Sequence, residues 1–124
     1  MNIALACVLV AGILPIVAAI ASKWGFHGYD DRNPRAWLAA QTGTRARANA
    51  AQANSWEAFP FFAAGVLAAL WAQVPQVRVD LLAAVFIVAR VLYLVFYLTD
   101  RATLRSLVWT IGWACCVALY VSAL

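Results

Sequence analysis

Four apolar runs, each close to 20 residues long, leave this chain few ways to fold: 3–22, 49–72, 80–98 and 106–123. A hydrocarbon core about 30 Å thick is crossed by roughly 20 helical residues. A helix satisfies its own backbone hydrogen bonds there. The expected fold class is therefore an all-α integral membrane protein, a four-transmembrane-helix bundle formed by one domain over residues 1–124. Composition agrees, with 66% of residues hydrophobic, 11% charged and a mean hydropathy of +0.83. Soluble domains run nearer half apolar and a quarter charged, and 124 residues are too few to hide so much apolar surface from water. The first run is longer than the apolar stretch of a signal peptide and no Lys or Arg precedes it, so it reads as a retained span. Pro15 and Pro60 fall inside spans, where neighbouring helices can absorb a kink. The short connections 73–79, with Pro75, and 99–105 make successive spans antiparallel neighbours. Abundant alanine allows close helix approach.

Charge sets the orientation. Lys23, Arg32, Arg35, Arg45 and Arg47 lie in the 23–48 connection, and Arg101 and Arg105 in 99–105, whereas 73–79 holds only Arg78. The excess of Lys and Arg marks cytoplasmic loops. Both basic loops are thus expected inside and both termini outside, in a bacterial inner membrane. The net charge of +4 reads as this topology signal plus headgroup contact, with no nucleic-acid partner. The first half of 23–48 reads as an irregular loop, and the part after Pro34 as helix running into the second span. Cys7, Cys115 and Cys116 sit inside apolar runs without metal-ligand spacing and read as packing residues. His27, the only histidine, reads as a loop residue. No nucleophile–histidine arrangement, paired-carboxylate site, phosphate loop or metal cluster emerges.

Three polar side chains inside the spans carry the functional signal. A charge at the centre of a lipid-exposed helix costs about 2.5–3.5 kcal/mol on insertion scales. Asn54 and Glu57 share a face of the second span. Arg90 lies in the third, and both ionisable residues sit roughly 12 Å from the cytoplasmic ends of their helices. At equal depth, Glu57 and Arg90 are expected to pair, within one chain or across a subunit interface. Tyr93, Tyr97 and Arg101 continue the face begun by Arg90. The stripe reads either as an interhelical clamp with interfacial tyrosines, or as a polar cleft for an anionic ligand open to the cytoplasmic leaflet.

The run from Arg45 through Arg47, Asn54, Glu57, Phe59 and Pro60 to Phe62 resembles the second-helix signature of the MAPEG family, the membrane-associated proteins in eicosanoid and glutathione metabolism. Arg90-Val-Leu-Tyr93-Leu-Val-Phe-Tyr97, followed by Arg105-Ser106, resembles that family's third-span signature. The resemblance implies a homotrimer that binds glutathione as co-substrate in a cleft between subunits. By motif, Asn54 and Glu57 of one subunit would bind it, with Arg90, Tyr93, Tyr97 and Arg105 of the neighbour. Arg105 matches the arginine that stabilises the glutathione thiolate, the catalytic role. Lipophilic small molecules bearing an electrophile would arrive from the lipid bilayer.

The chain departs from the transferring members at two places. Their arginine four residues before the Asn is Ala50 here, with Arg47 the nearest cation for that part, and their Tyr after the Glu is Ala58. Two functions from different classes follow: a glutathione-dependent transferase or peroxidase, and a non-catalytic trimeric scaffold or lipid- or partner-binding protein. The orientation is directly testable. In intact cells, a cysteine placed at Thr103 should resist an impermeant thiol reagent and one at Gln76 should react; the reverse pattern overturns it.

Overall fold

The computed structural model describes residues 2–25 and 28–124; His27 lies outside the described residues. Four long helices and one short one account for the fold: α1 (Ile3–Ser22), α2 (Pro34–Ala39), α3 (Gly43–Trp71), α4 (Gln76–Leu98) and α5 (Ala102–Ala123). Three of these, α1, α4 and α5, are long and apolar enough to cross a membrane. With 29 residues α3 is the longest helix. Asn49, Gln52, Asn54 and Glu57 dilute its apolar character.

Local chemistry sets the helix ends. The Asn2 side chain caps α1 by accepting from the Leu5 N–H at 3.0 Å. Asn33 does the same for α2, where Pro34 occupies the first helical position. The expected continuous helix from Pro34 into the second span is broken. Residues 40–42 interrupt it, and Gly43 enters α3 at φ +62°, a left-handed conformation that glycine adopts at little cost. Both remaining turns close with the same hydrogen-bond pattern. At the end of α3 the Val74 N–H reaches the Ala69 carbonyl and the Gln73 N–H reaches Leu70; after α4, Arg101 reaches Phe96 and Asp100 reaches Tyr97. These are Schellman closures, which need one left-handed residue. Gln73 at φ 56° and Asp100 at φ 60° fill that position.

The four long helices bury two apolar clusters. One gathers Ala4, Cys7, Ala11, Phe62, Val66, Ala83, Phe86, Cys115, Cys116 and Leu119 among others, with Phe62 stacked on Phe86 at 3.8 Å between centroids. The three cysteines are free and buried, as packing residues of this cluster. The second cluster surrounds Leu14, Ala18, Ala51, Tyr93, Leu94 and Val108. Alanines at the contacts let helices approach closely, so α1 lies against α3 and α4 against α5 along much of their lengths. At one end Asp80 of α4 ties in the start of α1, accepting from the Ala4 N–H at 2.8 Å and from Gln76 at 2.7 Å. A carboxylate there meets the positive end of the α1 dipole. At the other end Arg45 donates to the Trp24 carbonyl at 2.7 Å and lies over the Trp37 ring, holding Trp24 and α2 against α3.

Candidate functional site

Arg90 is the one charged side chain among the buried polar residues described, at 4% exposure. A guanidinium inside an apolar bundle needs partners for its charge and its five N–H donors. Its Nη2 donates to Ser55 Oγ of α3 at 3.2 Å, and its plane lies 4.2 Å from the centroid of the Tyr93 ring. Ser55 can serve because its own hydroxyl proton goes to the Ala51 carbonyl at 2.8 Å, which leaves lone pairs free to accept. Tyr93 meets Tyr97 edge-on at 5.5 Å, and Arg105 of α5 sits 4.3 Å from the centroid of Tyr97. A ladder of cation, ring, ring and cation thus climbs from the middle of the bundle to the start of α5. Each cation–ring step is worth about 0.5–2 kcal/mol, more where water is excluded.

Within one chain, this arrangement corrects the expected Glu57–Arg90 pair. Among the described residues no ion pair joins them; Glu57 is exposed and Ser55 holds the guanidinium. The physical reason is azimuth. Residues two apart on an α-helix differ by about 200° around the axis, so Ser55 meets Arg90 directly in the α3–α4 contact while Glu57 reaches only the rim of the groove that Arg90 also lines. Equal depth was legible in the sequence, but rotation about the helix axis was not. Arg101 is a second correction. The periodic stripe ends because α4 stops at Leu98, and exposed Arg101 becomes the residue before α5 instead. Arg105, one turn into α5, takes the place over Tyr97.

Two adjoining grooves open beside the ladder. The more polar one, about 430 Å³, is lined by Asn54, Tyr93, Tyr97, Arg105, Ser106, Trp109 and Thr110. The more apolar one, about 350 Å³, is lined by Asn54, Glu57, Ala58, Phe61, Phe86, Arg90, Trp109, Gly112, Trp113 and Cys116. Asn54 and Trp109 belong to both, so the grooves run together at these residues. Glu57 and Arg90 therefore face a common space without pairing. Four predicted residues, Asn54, Tyr93, Tyr97 and Arg105, share a wall within a single chain. Arg47 lines neither groove: its Nη2 donates to Thr44 Oγ1 at 3.1 Å and to the Leu98 carbonyl at 3.4 Å, fastening α3 to the end of α4.

Sequence reasoning missed Ser55, Trp109 and Gln52. A lone Ser or Trp in an apolar run reads as a packing or interface residue, and only the fold reveals what each touches. Gln52 Oε1 and Asn54 Oδ1 are buried acceptors with no hydrogen-bond partner. Buried polar atoms are nearly always satisfied, and of these two residues only Asn54 also lines the grooves.

A helical integral membrane protein with a polar cleft against its apolar bundle is the class that these features define. The chain belongs to the MAPEG family, whose model matches residues 3–124. No curated protein matches it, and no solved structure does.

The corrected partner of Arg90 has a measurable consequence. Glu57→Gln should shift stability in detergent by no more than about 0.5 kcal/mol, as for a surface substitution. Thermal unfolding of the purified protein reads this; a loss near the 3–5 kcal/mol of a broken buried pair would reinstate the Glu57–Arg90 contact.

Proposed function

We propose that this protein is a glutathione-dependent transferase or peroxidase that acts on lipophilic electrophiles. The observation that carries the reading is the wall shared by Asn54, Tyr93, Tyr97 and Arg105, with a cation over a phenol ring at the end near the start of α5. A tripeptide with two carboxylates needs cations and hydrogen-bond groups of both kinds; the polar groove supplies Arg105 with amide, phenol and hydroxyl groups, and the adjoining groove supplies Arg90. The apolar groove that joins it at Trp109 would receive the second substrate from the membrane.

The chemistry asked of Arg105 is modest and specific. A thiol of ordinary pKa near 8.5 is only a few per cent ionised at neutral pH. A fixed guanidinium beside the sulfur favours the charged form, and the proton leaves to water. The thiolate then attacks the electrophilic carbon. A carbon–sulfur bond forms while the bond to the leaving group, or to an epoxide oxygen, breaks. Asn54, with its unpartnered buried Oδ1, would accept from the peptide's N–H or ammonium donors. Glu57, at the edge of the apolar groove, would meet the same ammonium.

The proposal extends to assembly and placement. In it, α3 is the fourth span and the basic loops face the cytoplasm of a bacterial inner membrane. Three subunits form the particle. Support for a neighbour comes from α3, whose exposed Glu57 and Trp56 are poorly suited to bare lipid at depth. The neighbour would cover the groove, while one subunit supplies Asn54, Tyr93, Tyr97 and Arg105 together. A second reading, a non-catalytic trimeric scaffold or lipid- or partner-binding protein, draws on Ala50 and Ala58, where transferring relatives carry Arg and Tyr.

Arg105→Leu separates the readings. With saturating glutathione, the wild type should show the ultraviolet absorbance of a bound thiolate, and Arg105→Leu should lose it while the assembly persists. Arg105→Lys should keep only part, because a point charge lacks the planar fork of donors. A wild type without the thiolate signal contradicts the transferase reading and leaves the scaffold.

A further inference from the structure

Glutathione thiolate stabilisation assigns Arg105 a task but leaves open what holds its guanidinium in place. Arg105 is the fourth residue of α5, and its side chain is half-buried. A long flexible side chain at such a position samples many rotamers unless a surface fixes it. That surface is Tyr97, 4.3 Å away, and Tyr97 is itself set edge-on against Tyr93 at 5.5 Å. Tyr93 is 5% exposed and carries the Arg90 guanidinium over its ring at 4.2 Å. That guanidinium donates to the hydroxyl of Ser55, which is 2% exposed. The ladder is thus anchored at a single hydroxyl, oriented in turn by its bond to the Ala51 carbonyl.

We infer that Ser55 is a positioning residue for Arg105, acting through Arg90, Tyr93 and Tyr97. The inference rests on the transferase reading for its consequence in catalysis, but the geometric coupling stands independently of it. Ser55 fits the part for three reasons. Its small side chain lets α3 and α4 approach closely enough for a direct bond. Its single proton is committed to Ala51, so only its lone pairs face Arg90. It is also buried, so water does not compete for the guanidinium. Removing the hydroxyl leaves Arg90 with an unmet donor in an apolar setting, and such a donor re-aims toward the grooves. Tyr93 then loses its cation, and the shift passes along two ring contacts to Arg105. Threonine keeps the hydroxyl on a β-branched side chain and preserves both bonds.

Two measurements on the full chain in nanodiscs test this. The first is thiolate absorbance per bound glutathione at neutral pH, with binding counted by dialysis. Ser55→Ala should lower it several-fold while helix content and assembly persist, and Ser55→Thr should restore it. The second needs no glutathione: the ring resonance of isotopically labelled Tyr97. It should move in Ser55→Ala and return to its wild-type position in Ser55→Thr, with Thr99→Ala as an unaffected control. If Tyr97 stays put in Ser55→Ala, or Thr fails to restore it, the ladder does not couple and the inference falls. If Tyr97 moves but the thiolate yield does not, Ser55 does not position Arg105. Should the wild type form no thiolate, the transferase reading fails on its own, and the Tyr97 resonance alone decides the coupling.

Discussion

A guanidinium almost wholly removed from solvent, in the middle of an alanine-rich bundle, is the constraint around which the rest of this molecule is arranged. Arg90 cannot be left to lipid without a cost of about 2.5–3.5 kcal/mol, so α3 must bring a hydrogen-bond acceptor to it and α4 must bring a ring. Ser55 and Tyr93 do so. Close approach of α3 and α4 at that level requires small neighbours, and Ala51 and Ala89, both buried, provide them. The tyrosines, thereby fixed, form one wall of the polar groove, and Arg105 completes it from α5. Stability and site share the same contacts. A substitution in the ladder is therefore expected to touch both, and the tests above rely on conservative replacements and on readouts other than folding.

The division of the cleft follows from the same packing. Where α3, α4 and α5 converge on Phe86, Arg90 and Gly112, the walls are mostly rings and small residues, and the groove is apolar. Toward the start of α5 the lining changes to Tyr97, Arg105, Ser106 and Thr110. Trp109 stands at the junction with Asn54. A bilayer-embedded enzyme that joins a charged peptide to a greasy partner requires such a gradient, because each reactant partitions into a different medium. Family membership sets the class of protein, and the gradient is the feature of this chain that favours catalysis over a scaffold.

Much of the architecture was legible because the apolar runs are long. The first run coincides with α1. The other boundaries moved for identifiable reasons. Helix α3 begins at Gly43 because Thr44 to Asn49, though rich in polar residues, are already helical. Helix α4 begins at Gln76 because Arg78 and Asp80 fall in its first turns, where hydropathy hides them and where Asp80 caps α1. Neither tight turn announces itself, since the left-handed positions are held by Gln73 and Asp100 instead of glycine. In the site, the spacing of Arg90, Tyr93 and Tyr97 revealed one face of α4 in full. It could not reveal which residue of α3 faced it, because depth follows from counting residues whereas rotation about the axis follows from packing. That is why Glu57 was expected where Ser55 stands.

The central claim is that the Asn54–Tyr93–Tyr97–Arg105 wall is a glutathione site. An electron cryomicroscopy structure of the protein in nanodiscs with saturating glutathione tests it most directly. The account predicts tripeptide density along the polar groove, its sulfur beside Arg105 and pointing toward Trp109 and the apolar groove. A groove that holds only lipid or water at saturating glutathione, with Arg105 still over Tyr97, would contradict it.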